Sequence, residues 1–458
     1  MGLFMELAGK KATLIGLGTR THVSLARYLL AQGARVTISD VKTTEQLRGE
    51  IRLLHDLPVR LSLGGHRDED VLDADVIFVT PGVPRTIPCL LKAKELGITM
   101  SSEIELLFDL CPTPIVGITG SSGKTTTTTL VGEILKADGR KVMVGGNIGT
   151  PLIDRLDEMD PRTFVVLELS SFQLEYMSKS PIIAAILNVT PNHLDRHGTF
   201  ESYAAAKQNI IAFQGPDDHA VLNQDDEATI PLAGRTRAKV LLFSRRQKVS
   251  EGACLSGDKL VLRLNGRETA ICSAREVRLL GMHNQENALA ASAVASAAGA
   301  DVSSIRKVLT TFSGVEHRLE PVREIAGVVF YNDSIATSPE RALAGIMALE
   351  RPILLIAGGK SKHLPLDRMV AAIVQKVRHI VLMGELGREI EEELRSTPGI
   401  LPPITHCDTL AEAVKVSSRV ARAGDAVLLS PGGTSFDLFR DFEDRGRQFK
   451  ELVRSLPG

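Results

Sequence analysis

Several things are missing from this sequence of 458 residues. It has no surplus of charge: 54 Lys and Arg stand against 55 Asp and Glu. A polyanion-binding face or an acidic tail is therefore not expected, and nucleic acid is a poor partner for it. It has no paired cysteines. Cys89, Cys111, Cys254, Cys272 and Cys407 are scattered, and no two share a metal-ligand or redox spacing. They read as idle thiols of a reducing compartment. No apolar run reaches the ~18 residues that a membrane span needs. The segment Met1 to Lys11 lacks the basic-then-apolar order of a signal peptide. A cytoplasmic protein without a membrane partner is the expectation. Low-complexity segments and short repeats are absent too. The length asks for more than one core, so two or three domains are expected.

What is there is an alternation of strand-like and helix-like runs, which predicts an α/β protein with mainly parallel sheets. Three sections can be told apart. In the first, apolar strands at Ala12 to Leu17, Arg35 to Ser39 and Val76 to Val79 break into glycine-bearing loops. This is the pattern of a doubly wound, Rossmann-like domain that binds at the C-terminal ends of its strands. Gly16-Leu17-Gly18, with Asp40 about twenty residues on, suggests a nucleotide diphosphate or sugar nucleotide. The third glycine of the dinucleotide pattern is absent, so NAD is a poorer match.

The second section opens with the strand Ile115 to Thr119 and the run Gly120-Ser121-Ser122-Gly123-Lys124-Thr125-Thr126. Strand, glycine loop, Lys, Thr and helix in that order make a phosphate loop. Its amides cradle an anion, Lys124 reaches the β- and γ-phosphates, and the Thr125 hydroxyl sits on Mg²⁺. Ile118 stands where the strict motif has its first glycine, so the loop is a variant. A metal-side carboxylate is expected nearby. Glu168, at the tip of the strand Phe164 to Leu167, suits it. The strand Ala184 to Leu187 runs into Asn188-Val189-Thr190-Pro191-Asn192-His193-Leu194-Asp195-Arg196-His197, a set suited to phosphate and metal work. Lys207 follows on a helix from Tyr203 to Ala212. Ala238 to Val277 reads as short strands and turns, a small β-rich layer. The helix Asn284 to Ala298 closes the section.

The third section has strands at Val328 to Tyr331, Ile353 to Ala357, His379 to Met383 and Ala426 to Ser430. Three of them run into Asn332-Asp333-Ser334, Gly358-Gly359-Lys360-Ser361-Lys362 and Ser430-Pro431-Gly432-Gly433-Thr434-Ser435. These loops should share one face and suit a small dicarboxylate or a phosphate.

Taken together, these motifs resemble the Mur ligases over essentially the whole chain. So do Gly145-Gly146-Asn147-Ile148-Gly149, Glu168-Leu169-Ser170-Ser171-Phe172-Gln173-Leu174-Glu175, His283-Asn284 with Asn287-Ala288, and His317-Arg318. The resemblance implies three domains. Residues 1–102 form a Rossmann-like domain for a uridine nucleotide. Residues 103–314 form a central P-loop ATPase domain. Residues 315–458 form a C-terminal Rossmann-like domain that admits the amino acid. It implies an ATP-dependent ligation of D-glutamate to UDP-N-acetylmuramoyl-L-alanine in peptidoglycan precursor synthesis, using two Mg²⁺ ions; a monomer is the default expectation.

The resemblance also implies residue roles. Gly120, Ser121, Ser122, Gly123, Lys124, Thr125, Thr126, Asn287, Arg318 and Asp333 would contact ATP. Thr125, Glu168, His193 and a carbamylated Lys207 would hold metal, and Lys124, His193 and Lys207 would be catalytic. Gly18, Thr19, Arg20, Asp40, Lys42, Gly82, Asn147 and Ser170 would contact the UDP substrate. Thr337, Lys362, Ser435 and Phe442 would hold glutamate. The sequence departs from the family at Ile335, where many members have Lys, and at Asn192, where Asp is common. Lys42 stands for an Arg, and the first glycine loop is one residue longer, with His22 where Gly is usual. Rival readings are the same ligation with L-glutamate or another amino acid, a folylpolyglutamate synthase, a P-loop switch or motor ATPase, and a nicotinamide oxidoreductase.

Overall fold

Three sheets carry the chain, each laid down by apolar runs that end in glycine-rich or polar turns. The computed structural model describes residues 7–18, 21–279, 281–361, 364–436 and 438–457, with the side chain of Asp195 set aside. The chain divides into two compact units, Met1–Phe312 and Ser313–Gly458.

The first unit holds two sheets. Five parallel strands run in the order Arg60–Leu63, Arg35–Asp40, Lys11–Ile15, Val76–Val79, Thr99–Ser101. Strands Lys11–Ile15 and Val76–Val79 are almost wholly buried, as continuous Val, Ile and Leu runs require when helices cover both faces. The expected doubly wound arrangement is present. The central strand, Lys11–Ile15, has the next strand of the chain on one side and a later one on the other. The crevice at its C-terminal end is the switch point of the sheet.

The second sheet has nine strands in the order Arg267–Ser273, Lys259–Leu264, Gly252–Ser256, Lys239–Ser244, His219–Asn223, Ile183–Ile186, Ile115–Thr119, Phe164–Glu168, Val142–Gly146. The β-rich stretch expected over 238–277 is present and joins this sheet. Lys239–Ser244 pairs in parallel with His219–Asn223 and extends the sheet, and the last strands add an antiparallel ribbon. The alternation of side chains specified strands there. A free edge decided where they paired. Ile115–Thr119, Phe164–Glu168 and Ile183–Ile186 are buried strands in register, with Ile118 opposite Glu168 and Thr119 opposite Ile186. Their C-terminal ends therefore present three loops side by side. The helices Lys124–Ala137 and Met282–Ala297 pack together over this sheet. The Ala-rich sequence of the latter permits its close approach.

The second unit is one six-stranded sheet, ordered Glu320–Ile325, Val328–Asn332, Ala426–Gly432, Ile353–Gly358, Val377–Met383, Ile404–His406. All pairings are parallel except the first. The three loops expected on one face follow three adjacent parallel strands, Val328–Asn332, Ala426–Gly432 and Ile353–Gly358, so they do share one edge. No helix among the described residues is long and apolar enough to cross a membrane.

Candidate active site

The phosphate loop forms as its sequence dictates. Ile115–Thr119 ends the strand, Gly123 takes a left-handed φ of 80°, and the helix Lys124–Ala137 begins at once. A side chain at Gly123 would strike Asn287, since a Cβ there would lie 2.3 Å from Asn287 Oδ1. That contact brings the helix Met282–Ala297 onto the loop. Thr127 also donates to Asn287 Oδ1 at 3.4 Å.

Beside the loop, Glu168 ends its strand 2 % exposed. Its carboxylate accepts from the Thr125 hydroxyl at 2.8 Å and from Asn147 Nδ2 at 2.9 Å. Asn147 also donates its backbone N–H to the Glu168 carbonyl at 2.8 Å. Three groups assigned from separate stretches of sequence thus form one cluster. It offers hard oxygens next to a phosphate loop, a donor set that suits Mg²⁺.

Two lysines point at one acceptor. Lys124 Nζ donates to the Gly120 carbonyl at 2.9 Å and to the Ser121 carbonyl at 3.3 Å. Lys207 Nζ donates to the same Gly120 carbonyl at 2.8 Å. Lys207 sits in the helix Phe200–Ala212, 2 % exposed, with its amine 4.7 Å from the centre of the Tyr203 ring. Burial, reinforced by the charge of Lys124 and opposed by Glu168, lowers its pKa to about 7. Its neutral form is therefore populated near neutrality, which is not so for an exposed lysine.

His193 does not join this cluster through any hydrogen bond. It is exposed, has φ 52°, and starts the short helix Leu194–His197. Its ring lies 5.1 Å from Phe172 and 6.5 Å from Tyr203, centre to centre. Among the described residues no three His, Cys, Asp or Glu side chains gather as a metal cage. The expected ligands Thr125 and Glu168 are together, whereas Lys207 is occupied at Gly120 and His193 approaches through its ring packing.

Two contributors were given no role by sequence. Asn188, two residues past the strand Ile183–Ile186, accepts from the Ser122 N–H at 2.8 Å, and its carbonyl accepts from the Ser121 N–H at 2.9 Å. Tyr203 shares a hydrogen bond with the Ser121 hydroxyl at 2.9 Å. Their sole signal was position, one at a strand tip and the other on the Lys207 helix.

In the five-stranded sheet, Asp40 closes the first glycine loop. It accepts from the Leu17 N–H at 2.6 Å and the Lys42 N–H at 2.8 Å. His22 is fully buried, and its Nδ1 donates to the Gly16 carbonyl, which fixes the tautomer. Burial lowers its pKa to about 4. Gly18, Gly82 and the exposed Lys42 lie at C-terminal strand ends of this sheet. Thr19 and Arg20 are outside the described residues. Ser170 caps the helix Ser171–Leu174 in a capping box with Gln173, so its hydroxyl is engaged locally.

In the second unit, Asp333 is buried. It accepts from the Ser430 hydroxyl at 2.8 Å and the Leu319 N–H at 3.2 Å. Burial raises its pKa to about 7, against the pull of those hydrogen bonds and of Arg318 and Arg341. Arg318 is exposed. The carbonyl of Phe442 accepts from the Ser334 hydroxyl at 2.8 Å. Arg445, which sequence did not single out, is 3 % exposed. It donates to Ser334 O at 2.9 Å, Ser334 Oγ at 3.0 Å and Gly433 O at 3.3 Å, tying two of the three loops. Ser435 is buried in the third loop and Thr337 is half-buried. Lys362 lies outside the described residues.

A phosphate loop with a hydroxyl, a carboxylate and two lysines, at the C-terminal ends of parallel strands and in a chain that also carries two Rossmann-like sheets, defines an enzyme that handles a nucleotide's phosphates. Comparison with known proteins narrows this. The MurD-like N-terminal domain of Mur ligases matches residues 10–102, the Mur ligase middle domain 118–295, and the Mur ligase glutamate ligase domain 317–433. The UDP-N-acetylmuramoylalanine–D-glutamate ligase of Symbiobacterium thermophilum is 47% identical over 449 residues, covering 98% of both chains. That of Acetivibrio thermocellus is 45% identical over 457 residues, covering 98% of this chain and 97% of its own. The crystal structure of UDP-N-acetylmuramate-alanine ligase from Thermotoga maritima shares the fold at TM-score 0.58 and 21% identity, covering 97% of this chain and 99% of its own. One of MurF from Acinetobacter baumannii does so at TM-score 0.56 and 18% identity, covering 98% and 92%. The chain belongs to the Mur ligase family.

Proposed function

We propose that this ligase joins D-glutamate to UDP-N-acetylmuramoyl-L-alanine at the expense of ATP, in peptidoglycan precursor synthesis in the cytoplasm, as a monomer. The observation that carries the reading is the cluster of Thr125, Asn147 and Glu168 beside the Gly120 to Thr126 loop, in a chain 45–47% identical end to end to D-glutamate ligases. Residues 1–102 would take the UDP moiety through Gly18, Asp40, Lys42 and Gly82, 103–314 the ATP phosphates, and 315–458 the glutamate.

The substrate carboxylate attacks the ATP γ-phosphorus, the bond to the ADP oxygen breaks, and an acyl phosphate forms. The glutamate amine then attacks the acyl carbon, inorganic phosphate leaves and the amine proton is lost. Lys124, now held by loop carbonyls, turns to the phosphoryl oxygens and offsets their charge. Glu168 and Thr125 would hold Mg²⁺, with His193 completing the set; the ion when bound neutralises phosphate charge and orients the chain. A neutral Lys207 amine adds CO₂, releases a proton and becomes a carbamate, which replaces a cation by an anion facing the metal side. Thr337, Ser435 and Phe442 are the proposed glutamate contacts, with Arg445 holding their loops. Arg318 and Asn287 would contact the nucleotide.

The test is phosphate release from ATP with Mg²⁺ and UDP-N-acetylmuramoyl-L-alanine, comparing D-glutamate, L-glutamate, meso-diaminopimelate and no amino acid. Release with D-glutamate alone, and a product heavier by one glutamyl residue, supports the reading. A preference for L-glutamate makes Ile335 the first suspect. Release without any amino acid or muropeptide favours a plain ATPase.

A further inference from the structure

Behind the phosphate loop, two charged side chains face each other without meeting. Arg196 lies in the short helix Leu194–His197 and Glu175 directly follows the helix Ser171–Leu174. Arg196 Nη2 and Glu175 Oε2 are 3.9 Å apart, too far for a hydrogen bond. Both atoms are buried with no hydrogen-bond partner, and so is Arg196 Nε. Both side chains are partly exposed and Glu175 also bonds Tyr176, but buried polar atoms are normally satisfied, so these three inward-facing atoms mark a loose ion pair with a better neighbour state close by. Here an approach of about 1 Å would make a charge-assisted bond.

The rest of this seam is already assembled. The rings of Phe172 and His197 stack at 5.1 Å with 3° between their planes. His197 Nε2 and the Ser171 hydroxyl are 3.0 Å apart. The Phe172 ring also meets His193 at 5.1 Å and lies 5.8 Å from the Arg196 guanidinium carbon. From the five-stranded domain, Arg85 covers the Tyr176 ring at 4.3 Å while bonding Glu105 at 2.8 Å. Each of these contacts joins the segment after Glu168 to the turn after His193 or to the first domain. The charged pair Arg196 and Glu175, which joins the helix Leu194–His197 to the residue after Ser171–Leu174, has no hydrogen bond between its partners.

We propose that Arg196 is a positioning residue for His193, acting by closing onto Glu175. The segment Glu168 to Glu175 is short and capped, so Glu175 moves with Glu168. The backbone of Arg196 and His197 is bonded to the His193 carbonyl, so the Arg196 turn carries His193 with it. Closing the pair therefore sets the distance between Glu168 and His193. The left-handed backbone of His193 needs such a restraint, because a non-glycine residue does not hold φ 52° cheaply without surrounding contacts. This inference rests on the reading of Glu168 and His193 as metal-side residues.

The experiment uses the full chain with ADP and Mn²⁺, reading bound Mn²⁺ by electron paramagnetic resonance. The variants are Arg196→Met, which keeps an apolar stem, Glu175→Gln, their double, and His193→Ala. The expected result is a roughly tenfold weaker Mn²⁺ affinity in each of the two single clamp variants. The double should be no weaker than either single, since coupled partners are not additive. Melting temperatures and metal-free ADP binding should stay near the unsubstituted values, and kcat should fall with KM for ATP little changed. Unchanged Mn²⁺ affinity in Arg196→Met, with His193→Ala impaired, overturns the clamp alone. Additive losses in the double overturn it as well. Unchanged affinity in His193→Ala overturns the metal-side reading and the clamp with it.

Discussion

At Lys207 a buried amine shares the Gly120 carbonyl with Lys124, and its pKa falls to about 7. The neutral amine, the form that would add CO₂ in the proposed carbamylation, is the minority below pH 7 and the majority above. Phosphate release should rise with pH through about 7, and bicarbonate added near pH 6.5 should recover part of the loss. Lys207→Arg, which cannot lose its proton, should lose activity about 100-fold or more at every pH. Lys124→Ala should likewise abolish ligation, by about 100- to 1000-fold as for other charge-stabilising donors, with an unchanged melting curve. Normal turnover by either folded variant would remove its assignment. Asp333 gives the opposite pH signature. Its folded pKa of about 7 lies above its ordinary value, so proton binding favours the fold. That contribution is full below about pH 4 and is lost as pH rises through 7. Asp333→Asn should therefore flatten the fall in stability between pH 5 and 8, read by urea midpoints. A fall as steep as in the unsubstituted chain counts against this charge assignment.

At the scale of elements, the strand end that carries Glu168 is fixed by the neighbouring glycine turn. Gly146 has φ 88°, and a Cβ there would lie 2.3 Å from the Glu168 carbonyl. Gly146→Ala should cost about 2–3 kcal/mol, combining backbone strain with a steric shift, and raise KM for ATP. Gly97→Ala, with positive φ but open space around it, should cost about 1 kcal/mol and leave KM alone. Equal effects on KM would refute the link between Gly146 and Glu168. Elements of this kind were legible in the sequence where long apolar runs ended in glycine, as at Ile115–Thr119 and Val76–Val79. Short edge strands such as Thr99–Ser101 and Ile404–His406 were not, because three residues carry no period. The antiparallel ribbon of 252–273 was visible as strands, but its docking on the large sheet was not, since local alternation says nothing about a partner. Lys124, Thr125 and Glu168 could be read from motif order. Asn188, Tyr203 and Arg445 could not, because their contacts join segments tens to over a hundred residues apart. Ser170 carries a local role that its motif did not show: its hydroxyl caps a helix.

For the whole molecule, the division at Phe312 and Ser313 implies two cooperative units. Scanning calorimetry should need two transitions rather than one. ADP with Mg²⁺ should raise the transition of the unit that holds the phosphate loop, by mass action on its folded form, and leave the other almost in place. A single transition that ADP moves as a whole would show tighter coupling than the division implies.

The order of strands in the large sheet bears on how the chain is made. The four strands at one end of it, from the edge strand Val142–Gly146 to Ile183–Ile186, are all complete by residue 186. From there each later strand, beginning with His219–Asn223, lands on the outer edge of the one synthesised just before it, out to Arg267–Ser273. The five-stranded sheet is likewise finished by Ser101, before any of the larger one exists. In the large sheet a ribosome delivering the chain from its N-terminus thus meets no strand that must wait for a distant partner downstream, save within the opening 115–186 block, whereas in the second unit Val328–Asn332 waits for Ala426–Gly432. Most of the exposed edges last only as long as the next few dozen residues take to emerge, which shortens the interval in which a nascent chain could pair with its neighbour on the same messenger.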